Sequence, residues 1–479
     1  MTTPDPASWE ALDRRPNPAW FAHDKIGILI HWGVYSVPGF AMVYPDQRYG
    51  YGGPSCWYGS HISGLKPLIA EEQAKLQAFH RRAFGGDPTY EEIAPLFHAE
   101  LFDPDNWADL FRRAGARWAV LTSNFHDGYC LWPSPYSPHW NSVDVGPRRD
   151  LLGDFCASMR AAGLRAGFYY SLLEHNHPLY PEPRDLKPHG DLRRYVREHM
   201  QPQLREAVRR YEPSFIYLDG EWEFPEEALA MRDFLAWLYQ TASCKDDVVI
   251  NDRLGKGCRG HQGGVYCSEI GVEESGTGHA WIEDRPLSRG NWSRNRAETL
   301  DDYLSERDML HLLAGTLARG GNLHFDLSPA ADGTIPMIQQ ERLVQLGEWL
   351  AVNGEAVYGS RRWSVTHEGP PVPTHNPHLA QQNGRWLWTA ARETPQVHYT
   401  ANDEAVYAFC LAWPGRRLTL RRPAPTRATQ VRLLGLDQPL AWQAEGTGLS
   451  IDVPALSVAE LPARHVWVFK LTGLDNQRV

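Results

Sequence analysis

The chain contains 479 residues, of which 42% are hydrophobic and 22% are charged. This length exceeds the usual size of a single hydrophobic core, so we expect two domains. Its 48 Lys and Arg residues against 58 Asp and Glu residues give a net charge of −10. No basic excess is therefore available to neutralise phosphates, which argues against a nucleic-acid partner.

The compartment is predicted from the amino terminus and the cysteines. The first 20 residues lack the apolar run of a signal peptide or anchor, and no later stretch has the roughly 18 apolar residues that a membrane-spanning helix needs. The seven cysteines are odd in number and scattered, which indicates reduced thiols. We therefore expect a cytoplasmic protein with no membrane partner; homo-oligomer formation is left open.

From about residue 25 to 350, short β-branched or aromatic runs recur and amphipathic stretches follow most of them. Such alternation predicts strands and helices of an α/β fold. The helical stretches span 104–116, 150–163, 191–211 and 299–321. The runs are KIGILI ending at His31, WAVLTS ending at Asn124 to Asp127, RAGFYYS, FIYL ending at Asp219, VVI ending at Asn251 to Arg253, VYCS ending at Glu269, and NLHFDL.

Alternating strands and helices with near-continuous apolar strands predict a parallel sheet covered on both faces. No G-x-G-x-x-G follows the first strand, so a dinucleotide-binding doubly wound sheet loses its main support. Polar residues at the carboxyl ends of the strands instead favour a (β/α)8-like (TIM) barrel over residues 1–355. The stretch around 279–284 is the weakest strand candidate.

Two further regions have a different character. After about residue 355, Pro-rich turns separate short alternating segments, which predicts a C-terminal antiparallel β-sandwich over residues 356–479. The stretch from Pro45 to Asp87 is a long insertion after the first strand. A long loop at that end of a barrel shapes substrate access.

The rim of the predicted barrel is rich in carboxylates, with aromatics and no Ser-His-Asp or Cys-His signature. This favours glycoside hydrolysis, in which one carboxylate attacks or activates water and another protonates the leaving oxygen. A divalent cation held by the same rim is an alternative. The spacing of Cys258, His261 and Cys267 matches no standard zinc pattern, so we expect no metal. The acids are Asp219, Glu221, Glu223, Asp252, Glu269, Glu273, Glu274, Glu283 and Asp326.

Several segments in order resemble family 29 of the glycoside hydrolases, the α-L-fucosidases. WFAHDKIGILIHWGVYSVPGF is similar to the opening strand, LTSNFHDGYCLWPS to the second-strand motif and GFYYSLLEHNHPLYPEP to the third. FIYLDGEWEF resembles the nucleophile strand and VVINDRLG the Asn-Asp-Arg motif, while GGNLHFDLSPAADGTIP and NGEAVYGSRRW match the closing segments. The resemblance covers about residues 18–363 and implies a cofactor-free retaining exo-glycosidase that removes terminal α-L-fucose from an oligosaccharide or glycoconjugate.

The resemblance also implies residue roles. Asp219 matches the nucleophile. Glu269 matches the acid/base of one branch of the family, while Glu283 in HAWIEDRP matches a Trp-Glu motif and is the alternative acid/base. The substrate-binding positions that the resemblance indicates are His31, Trp32, Trp57, His126, Tyr169 and Arg253. Neighbours on a strand point to opposite faces, so only one of Tyr169 and Tyr170 can face the lumen, and the resemblance favours Tyr169.

Two positions depart from the family pattern. Phe125 stands where the family has the first of two paired histidines, and Cys56 stands where it has the Glu before Trp57. The resemblance implies that both missing groups contact neighbouring fucose hydroxyls. We therefore expect weak binding of plain L-fucose and a modified or different sugar as glycone, unless residues of the 45–87 insertion supply the missing partners. A catalytically weak carbohydrate-binding barrel is the remaining alternative.

Overall fold

The computed structural model describes residues 5–42, 54–66, 68–181, 190–269, 278–288, 291–369, 379–382, 385–388 and 397–475. Eight parallel strands in the order β5-β4-β3-β2-β1-β8-β7-β6 form the central sheet, which confirms the predicted barrel class. The weakest candidate strand, around 279–284, is present as β7. The strands are β1 Ile26–Ile30, β2 Trp118–Thr122, β3 Arg165–Ser171, β4 Phe215–Asp219, β5 Val249–Ile250, β6 Tyr266–Glu269, β7 Trp281–Pro286 and β8 Asn322–Leu327.

The sheet closes into a cylinder between β5 and β6 through a parallel bridge of Asn251 with Val265. Val265 donates its N–H to the carbonyl of Ile250 at 2.8 Å, and its own carbonyl accepts from Asp252 at 3.0 Å. On the other side of β5, the Asn251 side-chain amide continues the ladder to β4. It accepts from the N–H of Leu218 and donates to the Leu218 carbonyl, each at 2.9 Å.

Helices follow most strands, as the amphipathic pattern predicts. Asp103 caps α6 by accepting from two backbone N–H groups, with Pro104 at the first helical position. The predicted helix 299–321 is too long, because Ser305 caps α11 and residues 300–302 form a separate 3-10 turn. The helices are α1 Trp9–Leu12, α2 Ala19–Asp24, α3 Tyr58–Ile62, α4 Ala70–Phe84, α5 Tyr90–Ile93, α6 Pro104–Arg113, α7 Leu151–Ala161, α8 Leu192–Tyr195, α9 Gln201–Tyr211 (joined to α8 by the π turn Val196–Met200), α10 Met231–Gln240, α11 Glu306–Ala318 and α12 Met337–Asn353.

Side chains alternate between the barrel lumen and the surrounding helices. Trp118, Tyr169 and Tyr217 belong to the cluster that fills the lumen, while Ala119 and Tyr170 belong to the core shared with the helices. This alternation is the period-2 geometry of a strand. It decides which residue of each adjacent pair can reach a site at the end of the lumen.

The C-terminal region is antiparallel, as predicted. A five-stranded sheet in the order β15-β18-β13-β12-β9 and a three-stranded sheet in the order β14-β17-β16 enclose a second core, and β10 pairs with β11. The strands are β9 Arg361–Glu368, β10 Leu379–Gln382, β11 Arg385–Trp388, β12 Val397–Ala401, β13 Val406–Cys410, β14 Arg417–Leu420, β15 Pro425–Leu433, β16 Trp442–Glu445, β17 Gly448–Asp452 and β18 Trp467–Leu474.

Strands β12 and β13 of the five-stranded sheet are buried on both faces. Along β13, Val406 and Ala408 enter the sandwich core, while Tyr407 and Phe409 join the barrel core. Trp349 of α12 donates its indole N–H to the Val466 carbonyl at 2.9 Å. The sandwich therefore packs against α11 and α12. The predicted domain boundary between residues 355 and 356 falls in the turn between α12 and β9 and stays a prediction.

Replacement of Gly27 by Ala is expected to destabilise the barrel. A Cβ at Gly27 would lie 2.2 Å from the Trp118 indole and 2.7 Å from the His324 ring, and Trp118 is held there by a 2.6 Å hydrogen bond to His324. Such overpacking lowers the free energy of unfolding by about 1–3 kcal/mol. Urea denaturation measures the change, with Gly86→Ala as the control because no atom lies within 4 Å of its added Cβ. Equal stability of the two variants would contradict this account of the lumen.

Candidate active site

A pocket of about 170 Å³ opens at the carboxyl ends of the barrel strands. Strand ends and the loops that follow them supply most of its lining, which is where a barrel places an active site. Seven of the nine sequence-predicted site residues line it. Its lining is His31, Pro54, Cys56, Trp57, Phe125, His126, Tyr169, Tyr217, Asp219, Trp222, Arg253, Glu269 and Trp292.

Arg253 is the centre of the pocket's charge. It is 1% exposed, and its Nη1 lies 2.7 Å from Asp219 Oδ1 and 3.3 Å from Glu221 Oε2. Its Nη2 pairs with Glu269 Oε1. Charge-assisted bonds to three carboxylates satisfy the guanidinium. Burial alone would lower the pKa of Arg253, but Glu221 and Glu269 raise it well above its usual value.

Asp219 ends β4 with its side chain 14% exposed at the pocket. Tyr169 donates its hydroxyl to Asp219 Oδ2 at 2.6 Å. Burial raises the pKa of Asp219, and the Arg253 guanidinium and the Tyr169 hydroxyl oppose this shift. The carboxylate is thus held in place by two donors while one side stays open to the pocket.

The two acid/base candidates lie in different places. Glu269 ends β6, lines the pocket and has a 31% exposed side chain. Glu283 lies in β7, is fully buried, and pairs with Arg285 Nε at 2.6 Å while accepting from Ser268 Oγ at 2.9 Å. Its neighbour Ile282 faces the lumen, so strand alternation turns Glu283 away from it. The structure therefore places Glu283 outside the pocket, and its role as the alternative acid/base stays a prediction.

The two pocket histidines have different partners. His31 Nδ1 lies 2.7 Å from Asp326 Oδ1. Burial alone would lower the pKa of His31, but Asp326 and Asp219 outweigh it and raise the pKa above its usual value. Burial also raises the pKa of Asp326 to about 7. The pair therefore holds a proton on His31 Nδ1 and leaves Nε2 for a ligand.

His126 is a neutral acceptor. Ser171 donates its hydroxyl to the Leu173 carbonyl at 2.5 Å, so its oxygen accepts the Nδ1–H of His126 at 2.7 Å. Burial, followed by the neighbouring cations, lowers the pKa of His126 well below its usual value. The Nε2 lone pair then lies 3.6 Å from Asp219 Oδ2, ready to accept a hydrogen bond.

One predicted binding residue, Trp32, does not line the pocket. It packs against Phe97 and Trp107 and donates its indole N–H to the Ala330 carbonyl at 2.7 Å. Its strand neighbour His31 takes the lumen side, so Trp32 must face the helices. The same rule holds on β3: Tyr169 reaches the pocket, and Tyr170 bonds Gln203 at 2.8 Å behind the sheet.

Three aromatic pocket residues were missed by sequence reasoning. Tyr217 lies two residues before Asp219 on the same face of β4, so strand parity could have found it. Trp222 and Trp292 lie in loops after β4 and β7, and no periodicity indicates where a loop side chain points. Trp222 is 38% exposed at the pocket mouth.

Among the described residues, no group of three His, Cys, Asp or Glu side chains is placed to hold an ion. Glu273, Glu274 and part of the 45–87 insertion lie outside the described residues. Phe125 and Cys56, the two departures from the family pattern, both line the pocket.

Comparison with known sequences gives two family matches. Residues 3–355 match the family described as "Alpha-L-fucosidase", and residues 391–472 match "Alpha-L-fucosidase C-terminal domain". The chain is 38% identical to the tissue α-L-fucosidase of Bos taurus over 98% of this chain and 91% of the relative. It is 35% identical to the plasma α-L-fucosidase of Homo sapiens over 98% of this chain and 92% of the relative.

These relatives show that the predicted cytoplasmic location is wrong, because a tissue or plasma α-L-fucosidase is not typical of the cytoplasm. The free cysteines do not indicate the compartment, because all of them are buried and buried thiols are inert in any redox compartment. Within the described residues, no helix is long and apolar enough to cross a membrane.

Solved structures agree with the sequences. Thermotoga maritima α-fucosidase with a mechanism-based inhibitor gives a TM-score of 0.78 at 30% identity, covering 97% of this chain and 99% of that chain. The same enzyme in complex with fucose gives 0.77 at 30% identity with the same coverage. A family match over most of the chain, relatives along its full length and a shared architecture lead to one conclusion: this chain belongs to the α-L-fucosidases of glycoside hydrolase family 29.

Proposed function

We propose that this chain hydrolyses terminal α-L-fucosidic bonds with net retention, using Asp219 as the nucleophile and Glu269 as the acid/base. Fucose-containing glycans are the substrates of its family. The observation that carries the assignment is the buried guanidinium of Arg253, which pairs with Asp219 and with Glu269 in the same pocket. Two carboxylates flanking one sugar site are what retaining hydrolysis needs.

The first step is attack of a carboxylate oxygen of Asp219 on the anomeric carbon, while Glu269 gives a proton to the leaving oxygen. The bond to the aglycone breaks and a fucosyl ester of Asp219 forms. Glu269 then takes a proton from water, the water oxygen attacks the same carbon, and Asp219 leaves as a carboxylate. Two inversions retain the configuration.

The charge arrangement supports these roles. Asp219, Glu221 and Glu269 all pair with the Arg253 guanidinium. Glu269 has the most exposed side chain, 31% against 14% for Asp219 and 7% for Glu221. It is therefore the acid placed to exchange a proton with the leaving oxygen and with water. Asp219 keeps the Arg253 and Tyr169 donors, which favour its charged form.

Trp222 supports an exo mode of action. Its indole is exposed at the mouth, 6.1 Å from the Trp57 ring and 5.6 Å from His126. An exposed indole offers a flat apolar face for the sugar or aglycone that follows the fucosyl unit. The enclosed part of the pocket then holds one terminal residue.

The role of Asp219 predicts the behaviour of the Asp219→Gly variant. Turnover of a nitrophenyl α-L-fucoside should fall by about 10³-fold or more, since no covalent intermediate can form. Azide should restore turnover and yield the β-fucosyl azide, because a small anion can enter the space of the carboxylate and attack once. Product NMR measures the configuration. Near-normal turnover without azide, or an α-azide, would contradict the nucleophile assignment.

The role of Glu269 predicts a dependence on the leaving group. Glu269→Ala should lose about 10²–10⁴-fold in kcat/KM on a substrate with a poor leaving group, and far less on a dinitrophenyl fucoside that needs no protonation. Glu283→Gln is the matched control: it should lower the melting temperature, because the ion pair with Arg285 is lost, and keep turnover per folded molecule. Reversed behaviour of the two variants would transfer the acid/base role to Glu283.

A further inference from the structure

The wall of the pocket between the two histidines is apolar. The Phe125 ring lies 4.0 Å from the His126 ring and 5.8 Å from the His31 ring, centroid to centroid. It stacks on Tyr169 at 5.6 Å and meets Trp57 edge-on at 6.5 Å. Going around the wall, a sugar therefore meets an imidazole, a phenyl ring and a second imidazole.

The chemistry of His126 fixes the orientation of the sugar on this wall. Its Nε2 lies 3.6 Å from the Asp219 oxygen, so it lies beside the anomeric carbon that Asp219 attacks. Nε2 is an acceptor and requires a donor. The anomeric carbon has two ring neighbours, the ring oxygen and C2, and of these only the C2 hydroxyl has a hydrogen to donate. His126 thus takes the C2 hydroxyl.

The next ring carbons follow in order along the wall. If C2 lies at His126, the order of the ring carbons sets C3 opposite Phe125 and C4 opposite His31, whose Nδ1 is fixed by Asp326. On this basis, which rests on the proposed function, we propose that the natural glycone carries no free hydroxyl at C3. The substrate class is a C3-deoxygenated or C3-O-alkylated α-L-fucoside.

The groups around C3 cannot take the proton of a hydroxyl. Phe125 is 3% exposed and has no polar atom, and Cys56 is 4% exposed beside Ser293. Burial raises the pKa of Cys56, so it stays a neutral thiol, a weak acceptor. The indole N–H of Trp57 can donate and cannot accept. Among the described residues, a C3 hydroxyl would lose its hydrogen bonds to water and find no acceptor for its hydrogen. A methylene or an ether at C3 has no such hydrogen to leave unpaired.

Four nitrophenyl α-L-fucosides test the proposal: the parent sugar, its 3-deoxy and 3-O-methyl forms, and its 4-deoxy form. We expect the kcat/KM of the 3-deoxy compound to exceed that of the parent by about 10-fold, and the 4-deoxy compound to lose about 10-fold or more. Activity on the 3-O-methyl compound distinguishes an alkylated natural glycone from a deoxygenated one. A 3-deoxy substrate slower than the parent would overturn the inference and leave the proposed function standing. No hydrolysis of any of the four would refute the proposed function itself.

Two variants of Phe125 provide an independent check. Phe125→His adds a group that can accept a proton, so it should shift the ratio of parent to 3-deoxy kcat/KM towards the parent by about 10-fold. Phe125→Leu is the matched control and should leave that ratio unchanged, because leucine is also apolar. If both variants shift the ratio equally, the phenyl ring is not what excludes the hydroxyl and the proposal fails.

Discussion

The site depends on one buried cation. Arg253 is almost fully enclosed and touches Asp219, Glu221 and Glu269 at once. A guanidinium is always charged and presents several donors in one plane, so a single side chain can fix three carboxylates in register. Without it, three acids in a poorly solvated pocket would protonate or move apart. The nucleophile and the acid/base are therefore positioned by the same atoms, and neither can shift without the other.

Two histidines with opposite hydrogen-bonding roles complement this cation. Asp326 accepts the Nδ1–H of His31 and raises its pKa, which favours the doubly protonated ring with an Nε2–H donor, while His126 gives its Nδ1–H to Ser171 and keeps a free Nε2 lone pair. A ring of hydroxyls is both donor and acceptor, and a pocket with fixed roles accepts one orientation of it. The apolar surface between the histidines adds discrimination, because a polar group is excluded where it has no partner.

Much of the fold and of the site could be predicted from the sequence. The remaining features could not, for physical reasons. Apolar runs ending in Asp219 and Glu269 predict strands whose ends meet at one rim, since period and composition are local properties. Once the lumen face of each strand was known, the alternation of side chains would also have placed Glu283 and Trp32 outside the lumen. The pair of His31 with Asp326 joins residues 295 positions apart, and Trp292 comes from a loop. Contacts of that kind depend on the closed fold, and no local pattern encodes them.

The closure of the barrel also has a dynamic consequence. The seam between β5 and β6 is joined by the bridge of Asn251 with Val265, while the Asn251 side chain ties β5 to β4. Thermal opening of a structure starts where the fewest bonds hold it. Arg253, just after β5, spans this seam to Glu269 on β6 and also holds Asp219 on β4. Opening of the cylinder at the seam would therefore break the ion pair between Arg253 and Glu269, so the charge that positions the two acids also resists breathing of the barrel.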